Sequence, residues 1–155
     1  MVVGVFVAII GVFAYFKLRT PDEVVPPAVW ARYHDTANTF SLELPAQPIQ
    51  STDPQPNLAV RLGAREYAVL WDTMQDPELW KHIGPGFMGE GTVVRQLSIP
   101  DSDEAFVFKT KQGGFTGIRT THRGTIGYVI LTGAYIDDPD LERPLRTFRL
   151  EPAPP

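Results

Sequence analysis

Ala105-Phe-Val-Phe-Lys-Thr-Lys-Gln-Gly-Gly-Phe-Thr-Gly-Ile-Arg-Thr-Thr-His-Arg-Gly-Thr-Ile-Gly-Tyr-Val-Ile-Leu-Thr-Gly-Ala-Tyr135 is the stretch that decides the fold. It divides into three strand candidates, Ala105 to Lys111, Phe115 to His122 and Thr125 to Tyr135, rich in β-branched and aromatic residues. The connections between them, Gln112-Gly113-Gly114 and Arg123-Gly124, are too short for anything but antiparallel hairpins. The expectation is an antiparallel meander, and such a sheet needs at least one face covered.

Downstream, Asp137-Asp138-Pro139-Asp140 has the form of a capped helix start, and Leu141, Leu145 and Phe148 follow at helical spacing. This helix is expected to supply the cover, with Pro144 interrupting it or starting it afresh. Upstream, Thr92 to Ile99 and Ala64 to Met74 alternate like strands, and so do Phe40, Leu42 and Leu44 against Ser41 and Glu43. Asp76-Pro77-Glu78 begins a helix that runs to about Ile83 and stops at Gly84-Pro85. Residues 30–150 thus read as one α+β domain, an antiparallel sheet covered by helices, with a flexible tail at 151–155.

Residues 1–19 are different in kind. Val2 to Phe16 carries no charge and is closed by Lys17-Leu18-Arg19. A helix over Val2–Leu18 would measure about 25 Å at about 1.5 Å per residue, within reach of a bilayer core once Lys17 and Arg19 snorkel. A cleaved signal peptide needs a basic start and a small-residue cleavage site, and Ala14-Tyr15-Phe16 supplies neither. A buried core helix would carry a polar stripe. The expected structure is therefore a retained single-pass transmembrane anchor made by Val5, Phe6, Ile9, Ile10, Phe13 and Phe16, with Lys17 and Arg19 at its end. No Lys or Arg precedes the span, so the positive-inside rule favours the cytoplasmic over the periplasmic side for the domain. Residues 20–29 are a Pro-rich linker, extended or polyproline-like.

Charge and composition exclude several function classes. From residue 20 onward there are 12 Lys and Arg against 18 Asp and Glu, a net of −6, which repels a phosphate backbone and argues against nucleic-acid partners. There is no cysteine, hence no disulfide framework, thiolate nucleophile or Cys-based metal site. Gly84-Pro-Gly86-Phe-Met-Gly89 satisfies G-x-G-x-x-G in letters, but a predicted helix precedes it and a strand follows, the reverse of a dinucleotide site. It reads instead as a mobile loop, with Phe87 and Met88 at its tip or tucked into the domain.

His34, His82 and His122 lack metal-ligand spacing, and His34-Asp35 with Ser41 has no G-x-S-x-G elbow beside it. The acid clusters Asp101, Asp103, Glu104 and Asp137, Asp138, Asp140 do not match a calcium loop and suit turns and caps. No catalytic, cofactor or metal residue is therefore assigned, and no small-molecule substrate. The candidate contacts are Trp30 and Tyr33, on a short amphipathic turn over Val29 to His34, which suit a headgroup zone or pack on the domain. To these are added Phe87, Met88 and a set of cations, Lys109, Lys111, Arg119 and Arg123, on neighbouring strands, as a basic patch for an acidic protein surface or a solvated face.

Phe40-Ser-Leu-Glu-Leu-Pro-Ala-Gln-Pro48 resembles the opening "F-x-V-x-x-P-G-x-P" of PsbP/Mog-type α/β/α sandwich domains, and Leu145-Arg-Thr-Phe-Arg-Leu150 resembles their closing "F-L-x-S-F-x-L". Ala46 stands where that family prefers Gly, and Thr147 where it prefers Ser. The resemblance spans about residues 30–150 and implies a mostly non-enzymatic domain that binds other proteins, as in an extrinsic subunit of photosystem II and a Ran-binding nuclear-transport factor. Joined to an anchor, it implies an accessory subunit of a membrane complex, photosynthetic or respiratory, whose partners are other membrane subunits and the lipid bilayer. The alternatives are a tethered solute- or lipid-binding domain and an enzyme of unrecognised type.

Overall fold

A computed structural model describes residues 27–53 and 56–152. The expected anchor over 1–19, most of the 20–29 linker and the last three residues lie outside the described residues. Among the described residues no helix is long and apolar enough to cross a membrane.

The meander forms as its turns dictate. Strands β7 (Glu104–Lys109), β8 (Phe115–Arg123) and β9 (Ile126–Ala134) pair antiparallel, with Phe115 opposite Ala134 and Lys109 opposite Phe115. They continue on one side to β6 (Thr92–Gln96) and on the other to β5 (Arg65–Thr73), β4 (Asn57–Leu62) and β3 (Ile49–Ser51), so the sheet has seven strands in the order β3-β4-β5-β9-β8-β7-β6. A second sheet, β1-β2-β10, holds β1 (Ala31–Asp35), β2 (Phe40–Leu44) and β10 (Arg149–Leu150).

Both faces of the large sheet are buried, which is why its central strands read as near-continuous apolar runs. On one face Val60, Tyr67, Val69, Val107 and Ile130 pack under Phe40, Leu42 and Leu44 of the small sheet. Leu141, Leu145 and Phe148 complete that layer; they come from a 3-10 turn, Pro139–Glu142, and from α3 (Arg143–Thr147) with its C-terminal cap. Pro144 restarts the helix rather than ending it. On the other face Leu70, Phe106, Phe108, Ile118 and Val129 meet Trp80 of α1 (Pro77–Trp80) and the partly buried Phe87 and Met88 of α2 (Gly84–Met88). The covered sheet is thus an α+β sandwich, with one cover made largely of strands rather than of helix alone.

Each cover docks into a position where the sheet lacks a side chain. A Cβ on Gly117 would stand 2.7 Å from Cδ1 of the fully buried Leu145, and one on Gly127 would stand 2.6 Å from the Trp80 indole. The indole also donates from Nε1 to the Thr121 carbonyl at 3.1 Å.

Three expectations are corrected. Val29 to His34 is not a helical turn: Ala31–Asp35 is a strand whose Tyr33 faces the core and whose Arg32 and His34 face out, and Asp35 is buried because it accepts from the Asn38 amide and side chain. The predicted mobile loop at Gly84 is the short helix α2, formed despite two glycines because the Gly84 amide donates to Glu104 at 2.6 Å and Phe87 and Met88 bury on the sheet. The α1 segment is correspondingly shorter than expected, although Asp76 caps it by accepting from the Glu78 amide. Phe40–Leu44 is a strand as expected, and it lies in the second sheet.

One ion pair sits half-hidden on the β4–β5 hairpin. Arg61 donates from Nε and Nη2 to Glu66 at 3.3 and 3.1 Å, yet burial outweighs this and pushes the Glu66 carboxyl up to about 8. A carboxyl whose folded value lies above its ordinary 4.5 holds its proton more tightly in the native state. Its contribution to stability is therefore complete below about pH 4.5 and is lost as pH rises through about 8. Urea unfolding across that window should show stability falling, and Glu66→Gln should flatten the fall; an unchanged slope would remove Glu66 as its source. At neutral pH, Gly117→Ala and Gly127→Ala should each cost about 1–3 kcal/mol by overpacking a site that cannot yield, read as a lowered urea midpoint at unchanged slope.

Candidate functional site

The expected basic patch does not form, although its strand parity was right. Lys109, Arg119 and Arg123 do share a face of the sheet, but it is the face covered by the small sheet and α3. Arg119 is 4% exposed. Its guanidinium donates to the carbonyls of Leu145 and Phe148 at 2.8 Å each and to that of Pro100 at 3.2 Å, and lies 5.5 Å from the centre of the Phe148 ring. Burial without a carboxylate partner lowers it to about 10. Arg123 is spent on the seam to the small sheet, donating to the Glu151 carbonyl and to the carbonyl and hydroxyl of Thr39. Of the four, only the lysines remain outside: Lys109 at the strand end, 5.7 Å from the Phe115 ring, and Lys111 in the turn, paired with Glu90 at 2.5 Å.

The aromatic candidates are half-buried anchors. Trp30 is held edge-on to Tyr67 at 5.6 Å and under the Arg143 guanidinium at 4.5 Å. Tyr67 itself is pushed up to about 12 by burial. The Tyr33 hydroxyl accepts from Gln50 at 2.8 Å. Phe87 and Met88 pack on the second core cluster and are half-buried.

The other titratable groups are engaged singly or in pairs. Ser41 is fully buried between Arg32, which donates to it, and Glu151, which accepts from it; His34 lies 3.7 Å from that same carboxylate, so a carboxylate rather than an imidazole faces the hydroxyl. That order is wrong for nucleophile activation. His122 and Asp103 form a pair at 2.7 Å. Among the described residues no three of His, Asp and Glu are grouped to hold a metal ion.

Sequence reasoning missed two pairs of exposed apolar residues. Arg95 on β6 forms a two-pronged pair with Asp137 at 2.9 and 3.1 Å, and reaches Glu142 at 3.5 Å; the pairing with Arg95 holds the Asp137 carboxyl below its ordinary value. The pair ties β6, with exposed Val93 and Val94, to the segment carrying exposed Tyr135 and Ile136. Two adjacent apolar pairs beside opposite charges were the available signal, and strand alternation absorbed both.

No protein-family model matches the sequence, and no curated protein matches it. Among solved structures the chain is similar to the solution structure of cyanobacterial PsbP (CyanoP) from Synechocystis sp. PCC 6803, with a TM-score of 0.53 and 9% identity over 86% of this chain and 99% of that one. A further likeness is to the crystal structure of the Ran-binding protein Mog1p of Saccharomyces cerevisiae, with a TM-score of 0.47 and 11% identity over 79% of this chain and 96% of that one. At such identity the first likeness establishes one thing, that the chain has a PsbP-like fold.

Proposed function

We propose that this chain is a non-enzymatic accessory subunit of a larger membrane complex, photosynthetic or respiratory, anchored by its N-terminal segment and binding other subunits through its sandwich domain on the cytoplasmic side. The observation that carries this reading is the pairing of an uncharged fifteen-residue run, Val2–Phe16, ended by Lys17 and Arg19, with a folded domain of PsbP-like architecture. The likeness to CyanoP supports a protein-binding rather than a catalytic use, by analogy of fold. The engagement of Ser41, Arg119 and Arg123 in bonds that hold layers together is consistent with it.

Solubilised from its native membrane in mild detergent, the protein should migrate with a larger assembly, and the co-purifying chains identify the complex. Migration alone under every mild detergent tried would overturn the reading.

A further inference from the structure

One end of the large sheet gathers several exposed apolar side chains. At that end β5 begins, β9 ends, β8 begins, β7 ends and β6 begins, as the pairings Glu66 with Gly133, Phe115 with Ala134, Lys109 with Phe115 and Thr92 with Lys109 require. This end carries Tyr135 and Ile136, 65% and 67% exposed, with Val93 and Val94 on the edge strand tied beside them by Arg95 and Asp137. The chain also enters here: Val29 is 70% exposed, its amide bonded to the Pro45 carbonyl, and Trp30 packs on Tyr67, which pairs with Thr132 near the end of β9.

At the entry end Glu66 is paired with Arg61, Glu90 with Lys111, Asp137 with Arg95 and Asp138 with Arg65. At the opposite end, where Asp72 sits across from Gly127 and Thr73 from Ile126, Glu78 pairs with Lys81 and Asp103 with His122, and the carboxylates of Asp72 and Asp76 accept from main-chain amides. Paired charges lose less on approaching a low-dielectric surface than bare ones. The entry end therefore combines exposed apolar and aromatic side chains with four acids held by basic partners.

We propose that the entry end is a lipid-facing surface: in the anchored chain Val29, Trp30, Val93, Val94, Tyr135 and Ile136 seat in the interfacial zone of the bilayer, and the opposite end points away from it. The proposal rests on the anchored reading above. The occupant is the bilayer because residues 1–26 lead into this end at Pro27 and include the apolar run. The spacer 20–28 would span about 28 Å at about 3.1 Å per residue, enough slack for the domain to lie on the surface. Rings of Trp and Tyr beside aliphatic side chains are the chemistry of that zone. The net of −6 on residues 20–155 means that apolar contact, not attraction to anionic lipid, carries the seating.

The absence of cysteine makes the test direct. Full chains carrying Tyr135→Cys, Ile136→Cys or, at the far end, the exposed Leu79→Cys are labelled with an environment-sensitive nitrobenzoxadiazole and reconstituted into phosphatidylcholine vesicles with or without doxyl-labelled phosphatidylcholine. All three should float with the vesicles; the labels at 135 and 136 should shift to shorter wavelength and be quenched by the doxyl lipid, the label at 79 neither. Flotation with the labels at 135 and 136 as water-exposed as that at 79 overturns the surface and leaves the anchor standing. A shortened wavelength without doxyl quenching assigns this end to a second copy and overturns the lipid assignment. Chains that do not float overturn the anchor, and the surface with it.

Discussion

A buried guanidinium holds the sandwich together. Arg119 stands in the middle of β8 with no carboxylate in reach of a salt bridge, and its hydrogen bonds end on three main-chain carbonyls: Leu145 and Phe148 at the end of α3, and Pro100 in the turn before β7. The Leu145 and Phe148 carbonyls are of the kind a helix C-terminus leaves unpaired, and a cation there also meets the negative end of the helix dipole. Bringing the guanidinium out of water is costly, as its lowered ionisation shows. The return is positional. With the end of α3 fixed over β8, Leu145 enters the space at Gly117 and Phe148 stacks on Phe40, and the chain then has a single direction in which to run β10 along β2.

The same economy governs the edges of the large sheet. A free edge strand is an invitation to pair with another chain, and this sheet blunts both of its edges. On one side β3 is only three residues long. On the other, β6 shifts register between Val93 and Arg95, so its outward amides and carbonyls lose the regular spacing that an added strand would need. Contacts made at β6 are consequently contacts of side chains, and that favours flat apolar seating over strand addition.

How much of this was legible in the sequence depended on whether a signal was local. The meander, its hairpins and the stripe Leu141, Leu145, Phe148 were read correctly because period and turn chemistry are properties of neighbouring residues. Strand β4 had the same signal, Leu58, Val60 and Leu62 alternating with Asn57, Ala59 and Arg61, but prolines at 54 and 56 and Gly63 framed it too closely to stand out. For Arg119 the parity was legible and the outcome was not. Alternation assigns a residue to a face, while which face is covered depends on an element 26 residues away in the chain. Strand β1 was obscured for a related reason: its inward side ends in Asp35, a carboxylate that is buried only because Asn38 and Gln50 bond to it. Of the eight contact candidates, Arg119 and Arg123 proved to be internal fasteners, and the exposed Tyr135 and Ile136 were hidden at the end of a predicted strand.

The placement of the first strand bears on how such a domain would bear a tether. The chain enters through Trp30 and passes at once into β1, an edge strand of the small sheet whose one neighbour is β2. A pull on the N-terminus would load five residue pairs, from Ala31 opposite Leu44 to Asp35 opposite Phe40. Two features resist peeling there. The Trp30 ring is clamped between Tyr67 on the large sheet and Arg143 on α3, so the load reaches the core before the strand. The outer face of the small sheet is laced by side chains, Arg32 to Ser41 and to the Thr147 carbonyl, Arg143 to Glu43 and the Glu43 amide to Thr147, which bind β1 and β2 to the same helix that Arg119 holds from within. The entry point of the chain and the deepest fastener of the fold therefore act on one element, α3, and a load applied at the first is resisted at the second.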